Sequence, residues 1–450
     1  FTKSGGNLDL NDVTLSLLSD LQWSSDSLLD ISFLALNDKA LILGDQFSDL
    51  KIVNPLSLDH PNEKLISGDA DLEISASVTI GDGELSSNGG EVIFEEGIHL
   101  DGGKLEILNS ILKVGVHFNK TVGTVLLNGT TLGLLSDLSI TSDSLLSIGS
   151  LELNESSLTL ESDDTDLAIE QLLLLDDPNQ KLISGTADVD LKKGVDISAG
   201  EISSASGTFS INGSSIFSGG MISLASGTFA LGGDFTKNGG TLLLEDTTFA
   251  LLSDLQWTCN SLLEINQLEL NNLALTLGSE SSDLKVNNPL ILDQINEKLI
   301  SGAADLELND LLSISNGELS SSGGEIRLNN GLDISGGKVE FLNSSLLIGS
   351  ELGSQVSLIQ SGGSLLADTS SLQLIQNLIL QSIEGFSFQS LDLNSRELSL
   401  ASETSSLSLK EKLIFDLVSE KIDTGSADLR LEGGIQMSTG EISSSGGTIA

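Results

Sequence analysis

Twelve charged residues hold fixed places in a repeated segment, and their spacing is what chemistry in this chain would use. Asp59, Asp176, Asp293 and Asp416 align with one another, as do Lys64, Lys181, Lys298 and Lys421, and as do Asp71, Asp188, Asp305 and Asp428. A lysine that returns in every repeat of a chain with only 20 basic residues needs a reason. Two uses fit. In the local one, each lysine pairs with a nearby carboxylate at a corner and each aspartate caps a turn. In the other, the positions form a lateral docking row that a neighbouring copy or ligand engages multivalently. The pairs Gly83-Glu84, Gly200-Glu201, Gly317-Glu318 and Gly440-Glu441 recur in the same manner and admit the same two readings.

Catalytic and cofactor patterns are a poorer fit. His60, His99 and His117 are scattered, and His60 aligns with Asp177, Gln294 and Val418, which marks it as an ordinary substitution. The chain contains no Cys/His metal spacing, phosphate-binding glycine loop, H-E-x-x-H or G-x-S-x-G. Trp23 and Trp257 fall in the slot of Ile140 and Leu380, which predicts core residues rather than a sugar-stacking platform. Cys259, the single cysteine, aligns with Ser25, Ser142 and Ser382 and is expected at a polar corner. One cysteine excludes an internal disulfide framework. No cofactor is expected beyond weak surface Ca2+, since stacked carboxylates suit a hard, flexibly coordinated cation.

The element that positions these residues is a repeat. NEKLISGDADLEI at 62–74 returns as NQKLISGTADVDL at 179–191, NEKLISGAADLEL at 296–308 and SEKIDTGSADLRL at 419–431. The period is 117 residues, giving units at 1–117, 118–234, 235–357 and 358–450, the third lengthened by six residues near 350–358 and the fourth cut short. The chain reads as a window from a longer array. Within a unit, apolar-x-apolar triplets such as those starting at Val92, Ile98, Leu105 and Leu112 alternate with Gly, Asn, Ser and Asp. Such triplets are very short strands, with no room between them for helices. They predict an all-β, right-handed parallel β-helix, a β-solenoid of about three strands and ~19.5 residues per coil, with six coils in each ~117-residue unit. At about 4.8 Å per coil, equivalent residues 117 apart, such as Gly68 and Gly185, are expected in axial register about 29 Å apart in one continuous elongated body. Doublets such as Gly5-Gly6, Gly102-Gly103 and Gly336-Gly337 are expected at corners.

Charge sets the partners. With 65 acidic residues against 20 basic ones the net charge is −45. Spread over about 110 Å, that is about one charge per 2.4 Å, which excludes nucleic acid as a partner. Hydrophobic residues still make up 39%, so the chain can bury a core rather than stay disordered. No apolar run is long enough for membrane insertion in this window.

Repeated LxL strands, Gly-Gly and Asn-Gly corners, a near-20-residue sub-period and an acidic, Ser-rich surface resemble the rod portions of large secreted repetitive proteins, of the filamentous-haemagglutinin-like adhesin kind. That resemblance implies an extracellular or cell-surface protein used for adhesion or as filament material, and it carries no functional residue across. The expectation is therefore a non-enzymatic structural component of an extracellular filament, sheath or surface stalk, self-associating into a filament or bundle. The alternatives are an adhesin whose carbohydrate or surface receptor site lies elsewhere in the parent chain, and a carbohydrate-active β-helix enzyme. The enzyme is disfavoured because such sites need irregular loops that this nearly loop-free pattern lacks.

Overall fold

Leucine, isoleucine and valine at every second position of three-residue strands dictate one buried edge per strand, and neighbouring coils are what bury it. The computed structural model describes residues 1–4, 10–244, 246–353 and 355–450; the Gly5-Gly6 doublet lies outside the described residues. Among them every regular element is a strand, and the chain winds as a right-handed parallel β-helix of about 22 turns. No helix long and apolar enough to cross a membrane is found among the described residues. The chain divides into two compact units, residues 1–228 with 239–242, and residues 229–238 with 243–450.

Three parallel ladders run through the first unit. One stacks Leu21, Leu41, Leu65, Leu85, Leu105 and Val125. A second stacks Leu56, Val78, Ile98, Phe118 and Ile140, and a third Leu29, Leu50, Leu72, Val92, Leu112 and Leu132. The second unit repeats the scheme, with Leu255, Leu275, Leu299, Leu319, Val339 and Leu365 on one face and Leu290, Leu312, Leu332, Leu358, Leu380 and Leu400 on another. The third face stacks Leu263, Leu284, Leu306, Ile326, Leu346 and Leu372. The tryptophan slot faces inward as its residue types require: Trp23, Ile140, Trp257 and Leu380 are 4%, 1%, 0% and 0% exposed. Trp23 stacks on Phe1 and Trp257 on Phe235, with ring centroids 4.3 and 4.8 Å apart.

Corners are tight because the coils lie almost in contact. Gly103 and Gly337 take φ of +53° and +64°, and a Cβ on either would collide with the carbonyl of a glycine one coil earlier, Gly83 or Gly317. Only glycine meets both demands. The six-residue insertion lies after the strand Ser345–Ile348 and lengthens the return from Leu332 to Leu358 to 26 residues without adding a strand. Leu352 in it is fully exposed.

The six-coil arithmetic is corrected by the pairing. Register partners are separated by 19 to 26 residues rather than a uniform 19.5. Gly68 pairs with Ser87 on the ladder of Leu65 and Leu85. The strand Lys181–Gly185 instead continues the ladder of Leu158, Leu138 and Phe118, which leads back to Leu56. Gly68 and Gly185 therefore lie on different faces, not in axial register. The second unit shows the same offset: Lys298 stands on the ladder of Leu299, whereas Lys421 stands on that of Leu290. The reason is counting. The strands that start at Lys298 and Lys421 are the first and eighteenth of their run among the described residues, so one repeat holds 17 strands. Seventeen is not divisible by three, and such a repeat ends one strand short of six coils.

Candidate functional site

The sequence places each recurrent lysine at the start of a strand and the recurrent glutamate at the start of the next strand on the same face. Parallel register then sets them side by side, Lys64 on Glu84, Lys181 on Glu201 and Lys298 on Glu318. The ion pairs follow, at 2.7, 2.9 and 3.0 Å. Lys421 instead turns to Glu397, at 3.4 Å. In two repeats a second lysine extends the row: Lys104 bridges Glu84 and Glu106, and Lys338 bridges Glu318 and Glu340.

Hydrogen bonds from Lys64, and secondarily Lys104, hold the Glu84 carboxyl below its ordinary range. Those from Lys298 and Lys338 do the same for Glu318. The bond to Glu106, then that to Glu84, raises Lys104, and Glu340 and Glu318 raise Lys338. The lysines are about two-fifths exposed, so each pair contributes at most about 1 kcal/mol.

Asp71, Asp188, Asp305 and Asp428 do a different job. Each carboxylate accepts the backbone N–H of the residue 20 positions on, in Glu91, Thr208, Glu325 and Thr448, at 2.5 to 2.8 Å. In the first three repeats the N–H of the recurrent aspartate itself goes to an aspartate one coil earlier, Asp49, Asp166 or Asp283. This is a corner ladder that satisfies backbone donors left unpaired between strands.

Asp59, Asp176, Asp293 and Asp416 are exposed, and their carboxylates make no hydrogen bond among the described residues. Their backbone N–H groups reveal a residue that the sequence reading missed. Glu63 accepts from the N–H groups of Asp59 and His60 at 2.8 and 3.2 Å, and Gln180, Glu297 and Glu420 accept from the equivalent pairs at 2.8 to 3.2 Å. The three glutamates are 7%, 5% and 3% exposed. Their signal was present: the position before the recurrent lysine is always Glu or Gln, side chains long enough to reach back and offer one oxygen to two donors.

The twelve positions are thus not brought together into one site, and consecutive copies within a unit stand on different faces rather than in a single row. Cys259 and its equivalents Ser25, Ser142 and Ser382 sit at corners yet point inward, at 4% exposure or less. Among the described residues no group of three or more His, Cys, Asp or Glu is placed to hold a metal ion. No protein-family model, curated protein or solved structure matches the chain.

Proposed function

We propose that the chain is a structural, non-catalytic part of an extracellular filament, sheath or surface stalk. The observation that carries this reading is the use made of recurrence. The Asp71, Glu63 and Lys64 sets all bond one stretch of backbone or one coil to the next, so what the repeat preserves is the solenoid itself. Nothing in that pattern selects one repeat for chemistry. The acidic exterior suits such material, because like-charged surfaces repel, stay soluble and favour media rich in salt or divalent cations. Lateral contact, in this reading, falls to the Asp59 set, whose carboxylates are not engaged within the solenoid.

Immunogold labelling of the producing cells and their secreted material with an antibody to this segment tests the proposal. Label distributed along extracellular fibres or stalks is the expected result. Label confined to the cell interior, or only to a receptor-binding tip, overturns it.

A further inference from the structure

A second set of lysines recurs inside the corners. Lys3 and Lys237 end the strands Thr2–Lys3 and Phe235–Lys237, Lys120 holds the equivalent place within His117–Leu134, and the fourth repeat has Gln360 there. They pair in register with Ser25, Ser142, Cys259 and Ser382. Lys120 and Lys237 are only 5% and 6% exposed. A buried ammonium needs acceptors and, above all, a counter-charge.

Two of the three lysines have one. Lys3 Nζ meets Asp26 Oδ1 at 3.2 Å and Ser27 Oγ at 2.7 Å. Lys120 meets the Asp143 carboxylate, with Ser144 Oγ at 3.0 Å. The fourth repeat removes both charges together: Gln360 replaces the lysine, and Ile383 stands in the aspartate's place. Only the third repeat keeps the cation and loses the anion. There Lys237 Nζ meets Asn260 Oδ1 at 3.3 Å and Ser261 Oγ at 3.1 Å, both neutral. Among the described residues no carboxylate lies within ion-pair distance of it. An ammonium has three donors, and two are occupied.

We propose that the Lys237–Asn260–Ser261 corner is a binding site for a small monovalent anion of the halide class, which supplies the charge that Asp26 and Asp143 supply in the other repeats. Asn260 and Ser261 are exposed, so the two groups that hold the buried ammonium border solvent and an anion can reach the corner past them. The chain's large net negative charge does not forbid this. At physiological salt, charges beyond about 8 Å are largely screened, whereas the ammonium touches its anion directly.

The probe is bromide, soaked as its sodium salt into crystals of the full chain and located by anomalous scattering. A bromide peak within hydrogen-bond reach of Lys237 Nζ, absent at Lys120 and lost in Asn260→Asp, is expected. Because Asn260→Asp recreates the corner of the second repeat, it should fold. In solution, added sodium bromide should raise the melting temperature of the wild type more than that of Asn260→Asp or of Lys237→Gln, which takes the residue type of Gln360 and removes the cation. No bromide at Lys237, equal occupancy at Lys120, or an equal response of the wild type and both variants overturns the site.

Discussion

Glu63 and Lys64 are neighbours in sequence and recur with nearly equal fidelity, yet they belong to opposite regions of the molecule. Glu63 is buried at 7% exposure and ties two backbone donors of its own corner. The Lys64 side chain is 41% exposed and reaches across to Glu84 on the surface. Recurrence reports that a position matters to the repeat; it is blind to how much. The inner residue is a buried acceptor for two part-buried backbone donors, and its loss leaves both of them without a partner. The outer residue makes a screened pair that water can replace.

The sharpest way to break this comparison is to put a charge where no partner exists. Trp257→Asp places an unpaired carboxylate at a site with no exposure and should cost at least about 4 kcal/mol in urea unfolding. A variant as stable as the wild type would mean that the slot opens to solvent. One step down, Glu297→Leu leaves the N–H groups of Asp293 and Gln294 without their acceptor and should cost about 1–3 kcal/mol. Glu297→Gln copies Gln180, which accepts the same two bonds at 2.8 and 3.2 Å, and should cost under about 1 kcal/mol. Equal losses in the two variants would show that charge, not acceptance, is what the buried position needs.

Smaller again is the outer row. Lys104→Met copies Met221, which occupies the matching register place above Glu201, and should cost under about 1 kcal/mol. A loss as large as that of Glu297→Leu would remove the distinction between the two regions. The smallest effect is on acid stability. Glu84 has a folded pKa below the ordinary 4.5, with the Lys64 hydrogen bond as its main cause. Its contribution is therefore complete above about 4.5 and disappears as pH falls through the lower folded value. Stability measured from pH 7 downward should fall less steeply below about 4.5 in Glu84→Gln than in the wild type. Parallel curves would assign the acid sensitivity to other carboxylates.

The fold was legible because its signal is local: alternation over three residues and turn formers between them leave little besides short parallel strands. The inward tryptophan slot was legible from recurrence, since only apolar residues occupy it. The count of 17 strands was not. The stretch His117–Leu134 is continuous strand by hydrogen bonding yet contributes to three ladders in turn, so strands and corners run into one another there. Burial of Glu63 and Lys120 was also hidden, because a charged residue beside Gly, Asn or Pro looks like a solvated turn until the neighbouring coil covers it.

The strand count has a consequence for how such a chain can lengthen. A duplication that adds one 17-strand repeat must leave every following strand one face out of phase with its homologue. The new copy is thus never asked to stack on its own parent; it stacks on whatever strand lies about 20 residues back. A core written in interchangeable Leu, Ile and Val tolerates that shuffling, whereas a core keyed to specific partners would jam like a gear with a missing tooth. The monotony of the interior is then the condition for growth, and within each compact unit the outward pattern moves to another face from one copy to the next like a stitch that slips by one.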